Sequence, residues 1–182
     1  MERKQPRWQR WSLIATLALL LWLTAGPIAQ ASVYVYRERP GQVTVRSRLS
    51  LRDLSDRAWQ AITFKRTEGD VLQGYYLRLV GFPEAVQVDR QQPLSLRSFT
   101  GQHWQLPWAI DPQAKTMPPN VGQFDLAPLL NEIDRSLPLK IQLPLVNSPA
   151  AELAIAPFIV EEWLEVKRRQ ALPAPIGAAL GE

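Results

Sequence analysis

Starting at Val43 the apolar and polar positions alternate. Val43, Val45, Leu49 and Leu51 share one parity with Ser47, and Thr44, Arg46, Arg48, Ser50 and Arg52 share the other. Successive side chains of a strand point to opposite faces, so this pattern predicts a half-buried strand with an arginine stripe on its wet face. Asp53-Leu54-Ser55-Asp56 reads as a turn, because Asp and Ser side chains bond the backbone two residues on. A second strand is expected over Ala58 to Arg66 with Trp59, Ile62 and Phe64 as its bulky members. A polar, glycine-bearing loop from Thr67 to Gly74 then leads to a strand from Tyr75 to Val80, ended by Gly81-Phe82-Pro83. Short strands are expected at Val86 to Asp89, Leu94 to Phe99 and His103 to Leu106, the last two joined by Thr100-Gly101-Gln102 as a hairpin loop.

Prolines at 107, 112, 118 and 119 and a glycine at 122 predict a long ordered loop from Pro107 to Phe124. Asp125 is placed to cap a short helix, Leu126 to Ile133, in which Pro128 is tolerated because a first-turn N–H has no intrahelical partner. Leu137, Leu139, Ile141, Leu143 and Leu145 share one parity opposite Lys140 and Gln142, the cleanest strand signal in the chain. Beyond a turn at Asn147-Ser148-Pro149, a strand near Glu152 to Ile155 leads to Pro157, which suits the first position of a helix reaching about Arg169. Glu161 and Glu162 near its start and Lys167, Arg168 and Arg169 at its end follow the helix dipole, and Ile159, Trp163 and Val166 form one apolar stripe. These elements predict a mainly β domain: an antiparallel sandwich or partly closed barrel of about seven or eight strands with a C-terminal helix.

The longest apolar run comes earlier, Leu13 to Ala25, and has 13 residues. At about 1.5 Å per helical residue it reaches about 20 Å, short of the ~30 Å hydrocarbon layer of a bilayer. Arg3, Lys4, Arg7 and Arg10 precede it against a single Glu2, Gly26-Pro27 breaks it, and Ala29-Gln30-Ala31 supplies small residues for a peptidase. The expected organisation is a signal peptide over residues 1–31 cleaved after Ala31, one β-rich domain over residues 32–170, and a flexible tail over residues 171–182. An uncleaved anchor is the alternative. No Arg-Arg pair precedes the run, which favours the general secretory route over the twin-arginine one. The expected destination is the periplasm or a thylakoid lumen.

Composition narrows the chemistry. The chain has no cysteine, so it uses no disulfide, no thiolate nucleophile and no lipoprotein anchor, and its single histidine leaves no two-histidine metal site. No G-x-S-x-G, P-loop, G-x-G-x-x-G or calcium loop occurs. Asp53 and Asp56 form a carboxylate pair on paper, but turn chemistry already explains both. Neither a metal nor a cofactor is expected, and the chain reads as no enzyme. Charge is more informative: Arg37 to Arg66 holds eight basic and three acidic residues, whereas Asn120 to Glu165 holds two basic and seven acidic. Most of the formal +4 resides in the leader. A near-neutral exported remainder argues against nucleic acid.

The runs SLRDLSDRAWQAITFKR (Ser50 to Arg66), LRLVGFP (Leu77 to Pro83), PPNVGQFDLAPLL (Pro118 to Leu130) and PFIVEEW (Pro157 to Trp163) resemble a family of small exported cyanobacterial proteins catalogued only as a domain of unknown function. The resemblance implies a photosynthetic bacterial source and carries no catalytic or ligand residues with it.

The leading expectation is a non-catalytic exported accessory protein that binds a protein partner or membrane complex. Two surfaces are candidates: the arginine stripe, Arg46, Arg48 and Arg52, which would meet an acidic protein surface or anionic membrane, and the stiff Pro118 to Asp125 loop, with Asn120, Gln123 and Asp125. One alternative is a lipid- or pigment-binding barrel with a cavity lined by Trp59, Tyr75 and Leu77. Another is a hydrolase, which needs a serine and a carboxylate within about 3 Å of His103.

Overall fold

A computed structural model describes residues 33–39, 41–69, 71–110 and 116–169, all within the unit Ala31–Glu182. The expected signal peptide, its cut after Ala31 and the tail from Ala171 lie outside the described residues.

Nine strands fall in two antiparallel sheets among the described residues. The first sheet contains β1 (Tyr34–Arg39), β2 (Gln42–Arg52), β3 (Ala58–Glu68), β4 (Val71–Val80) and β7 (Val121–Asp125), in the order β1-β2-β3-β4-β7. The second contains β5 (Leu94–Ser98), β6 (His103–Leu106), β8 (Leu139–Leu145) and β9 (Ser148–Ile155), in the order β6-β5-β8-β9. The sheets are not closed into a barrel. Single bridges, Asp53 to Leu153 and Trp108 to Phe124, join them at two seams. The sandwich is thus the form realised.

One core lies between the sheets. Trp59, Leu77 and Leu79 of the first sheet and Leu94, Leu96, Ile141, Leu143 and Leu153 of the second belong to the same buried cluster. Strand alternation explains the selection: Leu139, Ile141, Leu143 and Leu145 are all buried, with Lys140 and Gln142 between them facing out. Helix α1 (Ala127–Glu132) contributes Leu129 and Leu130 to this core. Helix α2 (Pro157–Arg168) contributes Ile159, Val160, Trp163 and Leu164 and also buries Val166, the third member of the expected stripe. Pro157 opens α2 as predicted. Asp125 sits one residue before the α1 cap, Leu126, and accepts the Ala127 N–H at 2.9 Å.

Polar ties fix both helices. Lys65 of β3 donates from Nζ to the carbonyls of Lys167 and Arg169, at 3.1 and 2.5 Å, and so closes the C-terminal turn of α2. Lys167 donates to the Leu130 carbonyl, and Trp104 Nε1 to Glu132.

Four segments differ from the expected pattern. The Pro107 to Phe124 loop ends in β7, and the edge of β4 explains why: its Tyr76 to Val80 backbone pairs with Asp125 to Val121. The loop from Thr67 to Gly74 shrinks to a tight turn, because β3 runs on to Glu68 and β4 starts at Val71. The extra residue is absorbed beside Gly74, whose φ of +152° suits glycine. The strand expected at Val86 to Asp89 is one bridge, Val88 to Leu145. Finally, β1 is an added edge strand.

Candidate functional site

The arginine stripe forms as the alternation requires. Arg48, Ser50 and Arg52 are exposed on the outer face of β2, Arg46 is half-buried, and at Thr44 the face is covered. Register then brings in residues that the stripe alone does not reveal. Tyr34 lies opposite Arg46 and Tyr36 opposite Thr44, while β3 places Phe64 opposite Arg46 and Ile62 opposite Arg48. On β4, Tyr76 lies opposite Phe64 and Arg78 opposite Ile62.

The result is a lattice of guanidinium groups and rings. The Arg46 guanidinium stands 4.1 Å from the centre of the Tyr36 ring. Phe64 and Tyr76 stack at 5.1 Å, with Arg66 and Arg78 over Phe64 at 5.5 and 5.2 Å. Each such contact contributes about 0.5–1 kcal/mol and holds the guanidinium plane against the ring. Arg52 is already satisfied by Asp56, at 3.1 Å. Arg48 donates to the neutral Gln60 amide at 2.7 Å. Arg46 and Arg48 have no carboxylate partner among the described residues, so their charges are uncompensated.

The second candidate surface lies inside the fold. Asn120 is 7 % exposed, and its Nδ2 donates to the Gly81 carbonyl at 2.7 Å. Gln123 is 0 % exposed. Its Oε1 accepts Arg78 Nε and Nη2 at 2.9 and 2.6 Å, and its Nε2 donates to the Ala109 carbonyl at 3.2 Å. Asp125 is engaged with Ala127. The groups expected to face a partner are bonded within the protein, and Val121 to Asp125 is a strand rather than a presented loop.

His103 meets half of the hydrolase condition. Its Nε2 lies 2.8 Å from Ser95 Oγ and 3.1 Å from Gln105 Nε2, on an exposed strand face. These neighbours are an alcohol and an amide, not a carboxylate. No group of three or more metal-ligating side chains occurs among the described residues. Trp59 and Leu77, expected to line a cavity, are 2 % and 0 % exposed and fill the core, with Tyr75 packed against it. A polar surface cleft of about 580 Å³ runs along Gln87 to Gln92 and Leu145 to Asn147. Its charged residues have structural tasks: Asp89 accepts from Gln91 and Gln92, and Arg90 holds the carbonyls of Met117, Pro118 and Val121 while stacking on Trp108.

A family model described as a protein of unknown function, DUF3122, matches residues 31–166. The chain belongs to the DUF3122 family. The match takes in the nine strands found among the described residues and α2 as far as Val166, so the arginine lattice of this DUF3122 chain lies within it. No curated protein and no solved structure matches this DUF3122 chain. Tyr34, Tyr36 and Tyr76 were among the members of the lattice that sequence reasoning missed, and the β-forming composition of Tyr34-Val35-Tyr36 was the available signal for the first two.

Proposed function

We propose that this chain is a non-catalytic accessory protein, exported to the periplasm or thylakoid lumen of a photosynthetic bacterium, which docks on an acidic surface of a protein partner or membrane complex. The observation that carries the reading is the pair Arg46 and Arg48: two guanidinium groups on one sheet face, one stacked on Tyr36 and neither matched by a carboxylate among the described residues. Uncompensated arginines held on a rigid strand cost little entropy to present and recognise carboxylates bidentately. Export is supported by the leader, which is too short and too broken for a span.

Affinity capture from solubilised membranes, at low and at high salt, tests the reading. The expected result is a partner retained at low salt, released at high salt, and lost when Arg46→Glu and Arg48→Glu are combined. Recovery of the same partners by the variant would overturn it. Binding to vesicles of anionic lipid without any protein partner would move the assignment to the membrane surface. Mass analysis of the natural product gives the export arm a separate check: a chain starting at Ser32 is expected.

A further inference from the structure

β1 ends the five-stranded sheet, and one of its edges pairs with no described strand. Over its first half that edge carries no charge: Tyr34, Val35 and Tyr36 are 56 %, 40 % and 39 % exposed, a bulky β-forming run, and the charged residues Arg37, Glu38 and Arg39 come only after it. The irregularity in its pairing falls later, between Arg37 and Arg39. Just before the strand, the Val33 carbonyl accepts Arg169 Nη1 at 2.8 Å. The far edge of the sheet is treated differently. There β7 is covered by the Pro107 to Ala109 segment, through Asp125 N to Pro107 O and Ala109 N to Gln123 O, at 3.0 and 2.9 Å.

Arg46 does not stand upright over its own strand. Its guanidinium sits over Tyr36 of β1, so the positive charge is displaced towards the open edge. A strand added there would lie about 4.8 Å from β1, with its same-face side chains beside Tyr34 and Tyr36. Its carboxylates would come within reach of Arg46. Charge decides among occupants. A second copy joined edge to edge would bring a second Arg46 to the same seam. The chain's own first residues carry Arg3, Lys4, Arg7 and Arg10. Its last residues offer one carboxylate side chain, Glu182, and are interrupted by Pro173 and Pro175.

We infer that the open edge of β1 receives an extended segment of a partner protein with Asp or Glu at alternate positions, paired through the backbone and read by Arg46. This rests on the docking reading above and gives it a mode, β-strand addition, in which backbone bonds supply affinity and alternate side chains supply specificity.

The probe is a short capped, fluorescent peptide alternating Glu and Val, titrated into the full-length chain in mild detergent and followed by anisotropy and hydrogen exchange. Binding is expected, with exchange slowed in β1. Replacing Glu by Gln in the peptide, or Arg46→Glu in the protein, should weaken it by about tenfold or more, as for loss of a charge-assisted contact. N-methylating the peptide at alternate residues should abolish binding. If the N-methylated peptide binds as well as the parent, strand addition is wrong while the arginine face stands. If the Glu peptide does not bind, or protection falls elsewhere, the inference fails whatever the capture experiment returns. Self-association that protects β1 without peptide would assign the edge to a second copy instead.

Discussion

Asp53 and Glu162 are both carboxylates shut away from water, at 5 % and 7 % exposed, and they meet opposite surroundings. Burial alone would push the Asp53 carboxyl up, but the Trp59 indole, the Arg57 backbone and side chain and the Ser55 N–H all donate to it, and together they hold it below its usual value. Glu162 is pushed up by burial; the Ser47 hydroxyl on Oε2 offsets this in part, and Oε1 is buried without a hydrogen-bond partner among the described residues. The signs follow by linkage. The lowered group contributes stability that is present above the ordinary carboxyl range and lost as pH falls through its own value. The raised group contributes stability that is full below that range and lost as pH rises. Urea unfolding across pH should therefore show Asp53→Asn flattening the acid limb, at a cost of about 2 kcal/mol near neutrality. Glu162→Gln should flatten the alkaline side without loss at neutral pH. An unchanged profile for Glu162→Gln would show that its carboxyl is not held up.

β7 shows why one element hid and others did not. Strands β2, β8 and β9 bury one face, so alternation marks them, and α2 announces itself by Pro157 and a three-residue stripe. β7 has five residues, follows two prolines and is buried on both faces, so it has no period to read. Gln123 misleads most: a polar side chain at 0 % exposure looks like a surface group until Arg78 and Ala109 are seen around it. Gln123→Leu is accordingly expected to destabilise the protein by about 1–3 kcal/mol, since it removes the acceptor of Arg78 and the donor to Ala109. A urea midpoint equal to that of the parent would contradict this. β1 was hidden for the reverse reason: Tyr34, Val35 and Tyr36 are all exposed, so neither parity is polar.

At the scale of the molecule, the fold class was legible because antiparallel sheets with one wet face write their geometry into parity. The arginines of the candidate site were legible on the same ground. Their aromatic companions were not, because Tyr36 beside Arg46 and Tyr76 beside Phe64 are products of strand register, which parity does not set. The chain holds its two sheets without any cysteine, by a core shared across both and by helices tied through Lys65, Lys167 and Glu132.

The bond from Arg169 to the Val33 carbonyl spans the described sequence, so the first and last described residues are neighbours in space. The order in which the strands are read out is then separable from their arrangement. A circular permutant, spliced from Arg169 to Val33 by a few glycines and opened within Thr100-Gly101, should regain the parent's circular dichroism and cooperative melting. A permutant that fails to fold would mean that the native chain order is needed to reach this arrangement.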